Sequence, residues 1–412
     1  MGHYQYFQES GKLKKLCFGR YDFVAFFSFM AYAAGSVIFP VVIPDLARAL
    51  NFPLDSGGMG TAGSLHAVRC AAMVFAMVSS GFMAGRFGLR KAILPGIILM
   101  SISVIGAIFA PSYRFLLLVM LGAGLGEGIL EALATPFVQA LHQGEEPARY
   151  VSFSHSFWSV GVALTTIGAG IMLNYDISWR IALLIVALSG LPGIILLIIP
   201  SKKEQLKLNA VHGQSAKEVV NRSVEILKCG RFWLFFAAIF FAGGGEWCLT
   251  FWIPTFVQLV HRGSAFASGV AMALFAFGMM AGRMLAGMLI PQRHLPVLLI
   301  ATGIFSCVIG LFIPFAPDVL TVCVLVTLAG VGVGPFWPCI QSVCVDKLQL
   351  DATQIYIILS CAGIPGCGIF TWLQGALGDV RWIGLRHSFF LMPVSILIMT
   401  LLLAAAFRRK KI

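Results

Sequence analysis

The sequence predicts an all-α integral membrane protein, with twelve transmembrane helices arranged as two pseudo-symmetric six-helix bundles. Three observations lead there. Hydrophobic residues make up 59% of the 412 residues, charged residues only 11%, and the mean hydropathy is +0.90. A soluble domain carries about 45–50% apolar and about 25% charged residues, so this composition cannot cover a surface that faces water. The apolar residues fall into twelve runs of about 20 or more, the length that crosses a hydrocarbon core. Finally, a polar segment divides those runs six and six, and the two halves echo one another.

The first run, 22–46, follows a 20-residue basic tail ending at Arg20. It is too long for a signal-peptide core and has no small-residue cleavage site after it, so it reads as a span. Spans two to six are expected at 60–82, 92–111, 115–141, 151–173 and 179–200. From Ser201 to Arg231 the chain turns polar, SKKEQLKLNAVHGQSAKEVVNRSVEILKCGR. Spans seven to twelve are expected at 232–260, 269–290, 295–316, 319–345, 353–377 and 387–407. The organisation is therefore 1–200, an N-terminal bundle; 201–231, a cytoplasmic linker; and 232–412, a C-terminal bundle. Within the linker, KEVVNRSVEILK spaces Val219, Val220, Val224, Ile226 and Leu227 as a partly apolar stripe. It reads either as a tether or as a helix lying on the membrane surface. A closed barrel is excluded, because the runs are continuous and do not alternate.

Charge sets the orientation. Of the 29 Lys and Arg residues, 21 lie at the termini, in the linker or in the connections on that same side. Six lie on the opposite side, and Arg69 and Arg283 fall inside spans. The positive-inside rule places both termini in the cytoplasm of a plasma membrane, a bacterial inner membrane being expected. The net charge of +12 does not indicate nucleic acid, since the basic residues form short clusters between apolar runs rather than a basic domain. Their partner is the anionic face of the lipid bilayer. Ten cysteines are scattered from Cys17 to Cys367 with no CxxC pair and no Cys/His tract, so neither a disulfide framework nor a metal site is expected.

The halves repeat. GAGLG from Gly122 in span four is matched by GVGVG from Gly330 in span ten, 208 residues on. Trp179–Arg180 is matched by Leu385–Arg386 at 206, and the VIFP ending at Pro40 by the FWIP ending at Pro254 at 214. A duplicated six-helix unit suits a transporter, because two similar bundles can rock about a site between them. The glycines at 122, 124, 126 and 128 strip side chains from span four, for close packing or for a mobile hinge.

After span two comes GFMAGRFGLRK, Gly81 to Lys91. It resembles the signature loop of the major facilitator superfamily, G-x-x-x-D-R-x-G-R-[KR], through Gly81, Arg86, Gly88, Arg90 and Lys91, with Leu89 intervening. Gly85 stands where the family carries an Asp that helps lock the cytoplasmic face. With twelve spans, a central linker and a half-repeat, the resemblance extends over nearly the whole chain and implies the major facilitator fold. A narrower resemblance is to the fucose and glucose/galactose proton symporters. Span four is similar to their Gly-rich run followed by E-x-x-x-N-P through Glu131 and Pro136, with Thr135 in place of Asn. GRMLAG at Gly282–Gly287, GVGVGPFWP at Gly330–Pro338 and LRHSFFLMP at Leu385–Pro393 are similar to segments there. In that branch an acid four residues before the span-one Pro helps couple protons; here Ser36 precedes Pro40.

An ionised side chain at the bilayer centre costs several kcal/mol, so such residues normally face a cavity or a partner. Glu127 and Glu131 lie four apart on one face of span four, where two carboxylates disfavour simultaneous ionisation. They read as a proton-coupling or substrate-binding pair, or alternatively as a static pair neutralised by an Arg. Glu246 falls mid-span inside GGGEWCLTFW, with Trp247 and Trp252 offering flat faces for a ligand. Arg69, close to His66, is a counter-ion for Glu127 or Glu131, or a clamp for an anionic substrate. Arg283 reads as structural bracing. His155, with Trp158 one turn on, is either a titrating group or an interfacial anchor, and Gln341 is a weaker pore-lining candidate. Together these suggest a secondary active transporter importing a small polar solute, a sugar in the first instance. It would work by alternating access and take protons as the coupling ion, with no cofactor. It is expected to act as a monomer. One alternative is a proton-driven exporter of amphipathic or siderophore-like solutes, and another a non-transporting membrane receptor or scaffold. No nucleotide loop, metal cluster or nucleophile motif marks an enzyme.

Overall fold

The computed structural model describes residues 16–142, 147–209 and 216–408. The basic-tail residues Lys12, Lys14 and Lys15, the middle of the linker and the terminal Arg409, Lys410 and Lys411 lie outside these described residues. The twelve spans are helical, with short breaks at 189–190 in span six, 334–335 in span ten and 389–390 in span twelve. They are Arg20–Ala49, Met59–Phe87, Leu89–Ile108, Tyr113–Leu141, Phe153–Asn174 and Trp179–Ile198 in the first half. In the second they are Phe232–Val260, Ala265–Leu289, Gln292–Phe315, Val319–Leu348, Gln354–Gly378 and Gly384–Arg408. The protein is a multi-pass membrane protein of two six-span lobes. Burial ranks the spans by position: span one buries 89% of its apolar window and span nine 28%, so the former is central and the latter faces lipid.

Within each lobe the glycine rows serve packing. A Cβ on Gly124 would run into the Arg69 carbonyl and one on Gly128 into that of Met73, while Gly126 lies against the backbone of Met100. Span four is thereby held between spans two and three at backbone contact. In the second lobe, Gly330 meets the Phe275 carbonyl and Gly334 that of Met279, pressing span ten against span eight. These contacts correct the register of the repeat. Gly124 on Arg69 corresponds to Gly330 on Phe275, which puts spans four and ten 206 residues apart rather than 208.

The two ends of the molecule differ. The linker and the outer ends of spans one and twelve share one end, here termed the linker end; the other is the loop end. At the loop end, span two meets span eleven so closely that a Cβ on Gly63 would lie 2.7 Å from the Trp372 Cα. Span five meets span eight likewise, with Gly269 on the Thr166 carbonyl and Gly170 on that of Ala265. The Asp379 carboxylate accepts from the backbone N–H groups of Met59 (2.9 Å) and Gly60 (2.7 Å), joining the end of span eleven to the start of span two. At the linker end, Gly81, Gly85 and Gly287 face open space. The lobes are closed at the loop end and parted at the linker end.

The linker carries two short helices, Lys202–Asn209 and Ala216–Lys228. The first is held by the N-terminal lobe: Glu204 accepts from the Tyr21 N–H (2.8 Å), and Lys207 donates to the Leu141 carbonyl (2.8 Å). The second is held by the C-terminal lobe, where Arg222 pairs with Asp351 at 2.6 Å and Ser223 donates to Gln354. Its Ile226 is buried, whereas Val220, Val224 and Leu227 stay exposed.

Candidate functional site

Two prolines and two arginines set up the centre. Pro40 has no N–H to give the Ser36 carbonyl four residues back, which leaves that oxygen without its ladder partner. Arg69 takes it, donating from both terminal nitrogens at 3.2 Å. Pro338 frees the Gly334 carbonyl in the same way, and Arg283 donates to it from Nε at 3.0 Å. Each guanidinium is thus anchored on a gap in a neighbouring helix.

Arg69 is almost wholly buried and faces Glu127, with Nε 3.6 Å from Oε2. That is an ion pair too long for a direct hydrogen bond. Arg69 Nε lacks a hydrogen-bond partner, and the Glu127 oxygens have none of good geometry, with the Ser36 side chain within reach. Of the two acids expected as partners for Arg69, the structure places Glu127 beside it. A terminal nitrogen of Arg69 lies 2.8 Å from His66 Nδ1. Guanidinium nitrogens only donate, so Nδ1 accepts and the ring proton sits on Nε2, 3.3 Å from Cys70 Sγ. The His66 ring stacks on Trp247 of the other lobe with centroids 4.0 Å apart, and Arg69 also lies over that indole at 5.7 Å.

One turn along span four, Glu131 is partly accessible and the Tyr32 hydroxyl lies within its hydrogen-bonding reach. Glu246 of span seven is buried, with the Trp337 indole N–H in reach and Oε2 without a partner. These pairs are images of one another under the repeat. Tyr32 and Glu246 are 214 residues apart, as are Pro40 and Pro254, while Glu131 and Trp337 are 206 apart, as are Trp179 and Leu385. The donor and the carboxylate exchange places, so each lobe brings one acid to the interface.

Arg283 lies on this interface too, which its reading as mere bracing did not foresee. It is half-buried, its guanidinium is 6.0 Å from the Trp158 ring, and its charge acts on both Glu131 and Glu246. No described carboxylate forms an ion pair with it. Nearer the linker end, exposed His155 hydrogen-bonds Thr135 at 2.8 Å and packs on Phe29. Gln341 donates to Ser360 at 3.2 Å within the C-terminal lobe. Trp252 departs from expectation: it is fully buried and its indole N–H donates to the Thr371 carbonyl at 3.0 Å. It braces span seven on span eleven in the closed half, because an indole in that packing has one donor to satisfy and a backbone oxygen takes it. Tyr32, Ser36 and Trp337 were not singled out from the sequence as site residues, Ser36 being noted only because it stands where the symporters carry an acid. Applying the repeat offsets to Glu246 and Glu131 would have found the first and last.

The model of the Major Facilitator Superfamily matches residues 24–367. The chain belongs to that superfamily. Among curated proteins, an uncharacterized protein of Campylobacter jejuni is 29% identical over 44% of this chain and 54% of its own length. The niacin transporter NiaP of Acinetobacter baylyi is 27% identical over 36% of this chain and 32% of its own. The chain therefore spans about half, or less, of the length of these curated relatives. The partially occluded inward-open structure of the xylose transporter XylE from E. coli has a TM-score of 0.72 at 13% identity, covering 95% of this chain and 99% of that one. That likeness is one of fold.

In this major facilitator protein the signature loop is a helix-capping device. Gly88 adopts φ +79° between spans two and three, a conformation open to glycine. Arg90 then donates to the terminal carbonyls of span six, at 2.8–2.9 Å to Leu197 and 2.9 Å to Ile198, and to Gln205 of the linker at 3.3 Å. Those are carbonyls that no helical N–H can reach. Arg86 is exposed over Phe87, and Lys91 is exposed.

Proposed function

We propose that this protein is a proton-coupled secondary transporter that imports a small polar solute by alternating access, with the linker end as its cytoplasmic face. The observation that carries the reading is the meeting of Glu131 from one lobe with Glu246 from the other beside Arg283. Groups so placed change surroundings whenever the lobes rock, which lets a proton be taken up on one side and released on the other. Glu131 is the proton carrier: it is partly accessible, while Tyr32, Glu127, Arg283 and Glu246 act on it. The niacin transporter among its relatives supports the solute class by its name.

The test uses purified protein in proteoliposomes with an imposed pH gradient and a panel of labelled solutes. Glu131→Gln is expected to lower gradient-driven uptake at least tenfold while solute exchange at equal pH persists. If solute-driven proton flux is the same in Glu131→Gln as in the parent, the coupling role is wrong.

A further inference from the structure

Resting on that transport reading, we infer that the solute is a small zwitterion of the α-amino-acid type, its carboxylate received by Arg283 and its ammonium by Glu246. Charge bookkeeping at the interface gives the reason. Arg69 and Glu127 face one another and neutralise. Among the described residues, what remains at this interface is one cation, Arg283, and two acids, Glu131 and Glu246, with no ion pair among them. With the coupling proton on Glu131, one positive and one negative group remain, drawn from different spans of the C-terminal lobe.

Each pole has atoms to offer such a ligand. Arg283 is held through Nε by the Gly334 carbonyl, which leaves its terminal nitrogens as a fork suited to a carboxylate. Trp158 lies against the guanidinium and keeps it oriented. Glu246 Oε2 is buried and unpartnered, an acceptor that a bound ammonium would satisfy, while Trp337 brings its indole alongside. Other classes leave something unpaired. The monosaccharide implied by the sequence resemblance brings hydroxyls but no charge for Arg283. A monocarboxylate would satisfy Arg283 while adding a third negative group beside Glu131 and Glu246. An amine would leave Arg283 alone. Only a zwitterion meets both poles and adds no net charge to a water-poor site.

The experiment is competition for pH-driven uptake in proteoliposomes by the common α-amino acids. For the best of them, its deaminated and decarboxylated analogues are added, with xylose as the sugar. The amino acid is expected to compete at least tenfold better than either analogue, and xylose not at all. In Glu246→Gln the preference over the deaminated analogue is expected to fall below threefold, because the ammonium has lost its acceptor. Arg283→Lys is expected to retain the ranking at lower affinity, and Arg283→Gln to lose it. Ligand-induced shifts in melting temperature of the unmutated protein give the same ranking independently of variant folding. If xylose or a monocarboxylate is taken up with protons and no amino acid is, this inference falls while the transport reading stands. If no solute moves under the gradient, both fall.

Discussion

The two ends of this molecule use the same residue in opposite ways. At the loop end, glycines at 63, 170 and 269 let helices of different lobes touch backbone to backbone, and Asp379 secures the contact. At the linker end, glycines at 81, 85 and 287 touch nothing. A small residue in a membrane helix is ordinarily an interface residue. On the proposed alternating-access reading, such positions mark the contact surfaces of both states, of which one conformation displays half.

The largest effect is expected from the tightest contact. Gly269→Val forces a side chain against the Thr166 carbonyl and destabilises loop-end closure by about 1–3 kcal/mol. That corresponds to a shift of about fivefold to a hundredfold towards the loop-open state. It is read as a changed distance between spin labels on spans five and eight, and an unchanged distance would break the comparison. Asp379→Asn removes the charge and sets an amide NH2 against one of the two backbone donors, at a cost of about 1–2 kcal/mol. Spin labels on spans two and eleven should report a smaller shift in the same direction, and Asp379→Glu should restore part of it. The smallest effect is expected at the open end. Gly81→Ala should leave the melting temperature in detergent unchanged or slightly raised, since the site is empty and Ala favours helix by about 1 kcal/mol. Yet it should lower thiol labelling of a loop-end cysteine, because the linker end closes less well. Unaltered labelling would mean that Gly81 is not a contact position in either state.

Much of the fold was legible because the hydrocarbon core imposes a length on every span, and the twelve expected runs agree with the observed helices within a few residues at most ends. The repeat was legible too, but its register in spans four and ten was misread by one glycine pair. Alternating glycines look alike when shifted by two, and only their contacts tell them apart. Glu127, Glu131, Glu246 and Arg69 stood out because charge in an apolar run is conspicuous. Tyr32 and Trp337 did not, since an aromatic residue there resembles any other apolar neighbour until its polar atom meets a carboxylate. Trp252 misled for the same reason in reverse: its position six residues after Glu246 says nothing of which way the helix turns it. The roles of Pro40 and Pro338 were hidden because the carbonyl each frees is answered by an arginine from another span.

If Arg283 receives the solute as proposed, substrate choice depends on residues that never meet the cargo. Were Pro338 replaced by a residue with an amide hydrogen, the helix would close over the Gly334 oxygen and Arg283 would lose its mooring. A backbone defect would then be the fixed point from which the recognition chemistry is suspended, and repairing it would leave the fold sounder and the proposed transporter less discerning.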